Sequence, residues 1–143
     1  EGIVIAYTSV YGNTKKAALL LADKLNARGA AVKVYDLARC DMAAAVADAF
    51  RYDRLVLATT TYNTDIFPFM RQFIDHLTER GFANRTVALI ENGSWAPTAA
   101  KVMSGMLEKS KNITYAENSV KITSALNEES IARLDALADE LCK

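Results

Sequence analysis

Short apolar runs alternate with amphipathic helical patterns along the whole chain. Several of these runs are near-continuous and rich in β-branched or aliphatic residues, as is typical of strands that are buried on both faces of a parallel sheet. The predicted strands are residues 3–7, 31–37, 55–59, 86–91 and 113–122, the last interrupted around Glu117 and Asn118. The chain therefore reads as five strands with a helix between each pair.

Start and stop residues bound the predicted helices. Gly29 and Gly81 predict two helix ends, Asp41 predicts a cap, and Pro68 suits a first helical turn. The predicted helices are residues 13–28, 42–50, 68–80, 98–109 and 128–141. Apolar spacing predicts buried faces formed by Ala17, Ala18, Leu21 and Leu25 in the first helix and by Ile131, Leu134, Ala138 and Leu141 in the last.

Strictly alternating strands and helices predict parallel βαβ units with right-handed crossovers. The predicted fold class is α/β, a three-layer sandwich with a five-stranded parallel sheet in the order 2-1-3-4-5 and helices on both faces. Ligands of such sheets bind beyond the carboxyl ends of the strands. The segments that follow strands one, three and four, at residues 8–14, 60–66 and 92–97, should therefore share one edge of the sheet.

The segment at residues 8–14, read T-S-V-Y-G-N-T, joins the first strand to the first helix. The first N–H groups of a helix lack intrahelical partners and attract anions. Thr8, Ser9 and Thr14 add hydroxyl donors, and Gly12 permits a tight turn. The segment lacks the Gly-Lys-Ser/Thr ending of a P-loop and the three glycines of a dinucleotide site. It therefore predicts a cradle for a terminal phosphomonoester.

The other two segments each carry one large aromatic residue, Tyr62 and Trp95. Two such side chains can hold a flat ring between them. Uncharged side chains in the second segment and main-chain groups in the third can form hydrogen bonds to the polar edge of that ring. The sequence therefore predicts a ring site beside the phosphate cradle.

The phosphate segment resembles the flavin mononucleotide (FMN) phosphate loop of flavodoxins, and the resemblance extends over residues 3–143. Residues 60–63, residues 66–68 and residues 91–95 resemble the C-terminal flavodoxin domain of flavodiiron proteins, the A-type flavoproteins. This resemblance implies a flavodoxin-like fold, FMN as cofactor, and electron transfer. In that family the domain follows a metallo-β-lactamase-like diiron domain and passes it electrons for the reduction of dioxygen or nitric oxide.

Carried onto this sequence, the resemblance implies a binding site without catalytic or metal-ligating residues. The implied FMN-binding residues are Thr8, Ser9, Val10, Tyr11, Gly12, Asn13, Thr14, Thr60, Thr61, Tyr62, Asn63, Asn92, Gly93, Ser94 and Trp95. The sequence has no His-rich ligand motif, so we do not expect it to bind the diiron centre itself. The expected partner is a redox protein or a tethered diiron domain.

Composition indicates how many domains, which partners and which cellular compartment to expect. The chain has 143 residues, of which 51% are hydrophobic, and this is enough for one domain with its own core. Seventeen basic residues balance seventeen acidic ones, which argues against nucleic acid or a membrane as the main partner. Cys40 and Cys142 form no C-x-x-C pair, and we expect a cytoplasmic protein with reduced thiols. The start at Glu1, without a methionine, predicts a domain cut from a longer polypeptide.

Two other functions remain open at this point. One is an FMN-dependent NAD(P)H:quinone reductase of flavodoxin type, although the chain lacks the insertions such enzymes usually use. The other is a flavin-free module that binds a partner protein. As an isolated domain we expect an electron carrier, which becomes part of an oxidoreductase only when it is tethered.

Overall fold

The computed structural model describes residues 2–9, 12–62, 65–66, 68–92, 99–108, 110–122 and 126–142. The strands are β1 (Ile3–Tyr7), β2 (Val32–Asp36), β3 (Arg54–Tyr62), β4 (Asp65–Ile66), β5 (Arg85–Asn92), β6 (Ile113–Tyr115) and β7 (Val120–Ile122). The helices are α1 (Asn13–Ala27), α2 (Met42–Arg51), α3 (Pro68–Glu79), α4 (Ala99–Met106) and α5 (Glu128–Leu141). In this part of the chain, no helix is long and apolar enough to cross a lipid bilayer.

The strands form a sheet in the order β2-β1-β3-β5-β6, and the pairs along this path are parallel. β7 continues the edge beside β5, where Val120 is opposite Ile90. The predicted fifth strand is thus divided into β6 and β7 at the predicted interruption. The predicted fold class and the order 2-1-3-4-5 are confirmed. β4, which pairs antiparallel with the end of β3, was not predicted.

Local signals placed most helix ends correctly. Gly29 and Gly81 adopt φ values of 85° and 77°, the left-handed conformation that ends helices. Asp41 caps α2 by accepting the N–H of Ala43. α4 ends earlier than predicted, at Met106. Beyond it the chain forms tighter turns, in which the N–H of Glu108 donates to the carbonyl oxygen of Gly105.

Two hydrophobic cores lie on opposite faces of the sheet. α1 and α5 cover one face, where Ile3 and Ile5 of β1 are buried. α2, α3 and α4 cover the other, where Val4 and Ala6 are buried. Successive side chains of β1 therefore pack alternately into the two cores, as expected for a strand in the middle layer of a three-layer sandwich. All four residues of the predicted buried face of α1 are confirmed.

The predicted buried face of α5 is wrong at Ile131, which is 37% exposed. A helix of 3.6 residues per turn brings Ser130, rather than Ile131, into line with Leu134, Leu137 and Leu141. Ser130 turns inward because its side chain completes a reciprocal capping box with Asn127. Leu137, absent from the predicted face, is fully buried in its place.

The burial on α5 predicts a sharp difference between two neighbouring truncations. Leu137→Ala removes a fully buried side chain and should lower the free energy of unfolding by about 3 kcal/mol. Ile131→Ala, at the exposed position, should change it by less than about 1 kcal/mol. Urea unfolding followed by circular dichroism measures both. Equal losses from the two variants would contradict the observed orientation of the helix.

Candidate functional site

The carboxyl ends of β1, β3 and β5 lie side by side at one edge of the sheet. Tyr7, the last residue of β1, is opposite Ala58, and Thr60 is opposite Asn92, the last residue of β5. The N–H of Thr8 continues this pairing by donating to the carbonyl of Ala58 at 3.0 Å. The segments that begin at residues 8, 60 and 92 therefore meet at the edge where parallel sheets bind ligands.

Five polar side chains from this edge form what we call the polar cluster: Thr8, Thr14, Thr59, Thr60 and Asn92. The hydroxyls of Thr8 and Thr59 are hydrogen-bonded to each other. Oγ1 of Thr14 lies 3.0 Å from Oγ1 of Thr60, and Nδ2 of Asn92 donates to Oγ1 of Thr14 at 3.4 Å. Thr14 and Thr59 are fully buried, and Asn92 is 7% exposed. Buried polar groups need partners, and here the strand ends and the start of α1 supply them to each other.

α1 begins at the polar cluster without a side-chain cap. Its N-cap is Gly12, whereas α2 and α5 are capped by the side chains of Asp41 and Asn127. The first turn of α1 contains Thr14 and holds no acidic residue. The positive end of the helix dipole and the N–H groups of this turn are therefore directed at the cluster without a neutralising carboxylate in that turn. Such an arrangement favours an anion.

The turn into α1 depends on the backbone of Gly12. Its φ is 89°, which L-residues rarely adopt, and a Cβ there would meet no atom within 4 Å. Glycine is thus required by conformation rather than by space. The N–H of Gly12 donates to Oγ of Ser9 at 3.1 Å, so these two residues are in direct contact.

Glu91 carries a partly buried negative charge one residue before the end of β5. Burial raises the pKa of its carboxyl group, while the positive charge of Lys121 and a hydrogen bond from the N–H of Ala100 oppose this rise. Oε1 of Glu91 is the one buried side-chain oxygen or nitrogen without a hydrogen-bond partner among the described residues. Glu91 is also one of the residues that line a cavity of about 450 Å³ between β7 and α5.

The structure brings together part of the predicted site. Thr8, Thr14, Thr60 and Asn92 meet in the polar cluster. Ser9 and Gly12 are hydrogen-bonded to each other just before α1, and Asn13 is the first residue of that helix. Thr61 and Tyr62 end β3 at the same edge, where their main chain is described. Six predicted residues lie outside the described residues: Val10, Tyr11, Asn63, Gly93, Ser94 and Trp95. The predicted contact of Tyr62 and Trp95 with a ring therefore stays a prediction.

Two features of the cluster were missed from sequence. Thr59 was not among the predicted residues, although three consecutive threonines at the end of an apolar strand are an unusual signal. Asn92 was expected to act through its main chain, yet its side chain reaches the first segment. No group of three or more His, Cys, Asp or Glu side chains able to hold a metal ion occurs in the part of the chain described.

Comparison with known proteins gives a family match. The model of the family described as Flavodoxin matches residues 5–132. The chain is similar to the anaerobic nitric oxide reductase flavorubredoxin of Citrobacter koseri, with 25% identity over 110 residues, and to that of Salmonella typhi, with 24%. The matched part is 76% of this chain and 23% of each relative, so the chain spans less than a quarter of these proteins.

Solved structures agree with the architecture. The rubredoxin oxygen:oxidoreductase of Desulfovibrio gigas superposes with a TM-score of 0.92 at 18% identity, covering 99% of this chain and 35% of that one. The flavodoxin of Streptococcus pneumonia TIGR4 superposes with a TM-score of 0.85 at 24% identity, covering 99% of this chain and 97% of that one. The same fold therefore occurs both as a free protein and within longer chains.

The burial of Glu91 predicts a pH-dependent effect on stability. Because its pKa is raised in the folded protein, ionisation of Glu91 costs stability as the pH rises from the unfolded pKa through the folded one. Glu91→Gln cannot ionise, so its melting temperature should exceed that of the parent protein at neutral pH and lose this advantage below about pH 4.

Thermal melts across this pH range measure the difference between the two proteins. Glu108→Gln, which replaces an exposed carboxyl group just beyond α4, is the matched control. An advantage of Glu91→Gln that is the same at every pH would contradict the assignment.

Proposed function

Because the chain belongs to the flavodoxin family, we propose that it is an FMN-binding electron-transfer domain. The observation that carries this proposal is the convergence of the polar cluster on the uncapped N-terminus of α1. FMN, when bound, supplies a ring that accepts and returns electrons. The protein's own part is to hold the phosphate, orient the ring and limit its contact with water.

The donors at the start of α1 fit a phosphate monoester. The hydroxyls of Thr8, Ser9 and Thr14 can each donate a hydrogen bond, and the first turn of the helix adds main-chain N–H groups. The polar cluster contains no carboxylate that would repel a dianion. Hydrogen bonds from hydroxyl and N–H groups stabilise the doubly charged form of a phosphate.

The ring part of the site is assigned to the two later segments. In this proposal Tyr62 and Trp95 lie against the faces of the ring. Its polar edge receives hydrogen bonds from Thr61 and Asn63 and from the main chain of residues 92–94. Glu91 adds a partly buried negative charge close to the start of the third segment. A nearby carboxylate disfavours further negative charge on a reduced ring and so lowers its reduction potential.

We propose that this domain passes its electrons to a redox partner, and that in the whole protein this partner is a tethered diiron domain. The similarity to proteins named as flavorubredoxins and as a rubredoxin oxygen:oxidoreductase supports this assignment. In this proposal the intact protein, rather than this domain alone, reduces dioxygen or nitric oxide. The reason is that the chain covers only 35% of the rubredoxin oxygen:oxidoreductase.

Binding of FMN and of riboflavin, which lacks the phosphate, tests the phosphate site. Thr14→Val removes one hydroxyl with little change of shape and should weaken FMN about 10- to 100-fold. Riboflavin, without the phosphate, should bind this variant as it binds the parent protein. Quenching of flavin fluorescence measures both affinities.

The same titration is applied to a control variant, and it also gives the results that would contradict the proposal. Thr78→Val, on α3 and away from the polar cluster, should leave both affinities unchanged. Riboflavin binding the parent protein as tightly as FMN would refute the phosphate cradle. A protein that binds neither ligand would favour the flavin-free module. Bleaching of the bound flavin by NAD(P)H alone would favour the quinone reductase.

A second substitution tests the ring site separately. Trp95→Ala should weaken FMN and riboflavin by the same factor, about 10-fold, because the indole is proposed to contact the ring that both ligands share. The two affinities are again measured by fluorescence quenching. A loss confined to FMN would place Trp95 at the phosphate instead.

A further inference from the structure

We infer that the side-chain amide of Asn92 sets the preference of this site for FMN over riboflavin, acting through the hydroxyl of Thr14. Asn92 is thus a positioning residue of the phosphate site, although its main chain opens the third segment. The inference rests on the proposed function, and it adds a residue that determines ligand specificity.

The position of Asn92 on the sheet directs its side chain towards α1. Ala88 and Ile90 of β5 are buried in the core beneath α1 and α5, and the two-residue period of a strand puts Asn92 on that same face. Glu91 points the opposite way, towards the start of α4, where it accepts the N–H of Ala100. The last two residues of β5 therefore contact two different helix starts.

The contact between Asn92 and Thr14 is enclosed. Thr14 is fully buried and Asn92 is 7% exposed, so water competes little for their hydrogen bonds. Nδ2 of Asn92 donates to Oγ1 of Thr14 at 3.4 Å. The same Oγ1 lies 3.0 Å from Oγ1 of Thr60, on the neighbouring strand. Thr14 is therefore the shared partner of the second and third segments.

The chemistry of a hydroxyl group makes this contact directional. A threonine hydroxyl has one hydrogen to donate and two lone pairs that accept. When the amide N–H of Asn92 occupies one lone pair and the hydroxyl of Thr60 donates to the other, the hydroxyl hydrogen of Thr14 is available to a phosphate oxygen. The accepted bond also polarises the O–H group and strengthens its own donation. Asn92 thereby makes Thr14 a donor, which is the role a dianion requires.

This role differs from the main-chain role first predicted for Asn92. A main-chain contact to the ring would serve FMN and riboflavin equally. A side-chain contact that acts through Thr14 serves the phosphate and leaves riboflavin unaffected. The ratio of the riboflavin and FMN dissociation constants therefore distinguishes the two roles, and a general loss of folding stability would not change that ratio selectively.

The test measures this ratio in the parent protein and in three variants at Asn92. Asn92→Ala should weaken FMN about 10-fold and riboflavin less than about 2-fold. Asn92→Asp replaces the donor by a charged acceptor and should weaken FMN further than Asn92→Ala. Asn92→Ser, which restores a donor, should recover part of the affinity for FMN. Asn112→Ala, which removes an exposed amide that bonds Asn84, is the matched control.

A double-mutant cycle tests whether the effect passes through Thr14. With Thr14→Val already present, Asn92→Ala should cause little further loss of FMN affinity, because the hydroxyl it positions is gone. Additive losses, or equal weakening of FMN and riboflavin by Asn92→Ala, would overturn the inference while leaving the proposed function intact. Absence of FMN binding by the parent protein would overturn both. Asn92→Ser and Asn92→Asp keep a polar side chain and provide the same comparison if Asn92→Ala does not fold.

Discussion

Buried hydroxyl groups need hydrogen-bond partners, and in this chain several of them are hydrogen-bonded to one another where three parallel strands end. Thr8 and Thr59 pair across β1 and β3, and Thr14 at the start of α1 pairs with Thr60 and Asn92. These contacts require the observed register, in which Thr60 is opposite Asn92. A slip of one residue would turn the polar side chains towards the opposite core. The sheet and the site therefore depend on the same alignment of strands.

The end of β5 shows how closely positioned this edge is. Asn92 reaches the start of α1 and Glu91 reaches the start of α4, so two consecutive residues connect the sheet to helices on both of its faces. One of them brings a neutral donor to the proposed phosphate site, and the other brings a partly buried charge that costs stability. A buried carboxylate oxygen without a partner is rare in proteins, and a buried carboxyl group with a shifted pKa is a candidate for a functional role. In our proposal this charge lowers the potential of the flavin.

The fold could be predicted from the sequence more fully than the site, because the fold depends more on local signals. Strand order and most helix bounds follow from local signals, such as the apolar run of β1, the cap at Asp41 and the left-handed glycines. Ile131 was misplaced because its exposure depends on Ser130 turning inward to complete a cap. β4, with two residues, carries no pattern to detect.

The missing parts of the site depend on contacts between distant segments. The bond between Thr8 and Thr59 spans 51 residues, and that between Thr14 and Asn92 spans 78. No local spacing encodes such pairs, whereas the glycine and hydroxyls of residues 8–14 form a short motif that can be identified directly. The cradle was therefore predictable, but the side-chain contacts that support it were not.

In our proposal, hydroxyl and N–H donors at the start of α1 hold the phosphate of FMN as a dianion. Phosphorus NMR of the FMN-loaded protein tests this binding mode, because a free phosphomonoester titrates with a pKa of about 6. The phosphorus resonance should not move between about pH 5 and pH 8, since the donors stabilise the doubly charged form. A resonance that titrates like that of free FMN would show that the phosphate is not held as a dianion.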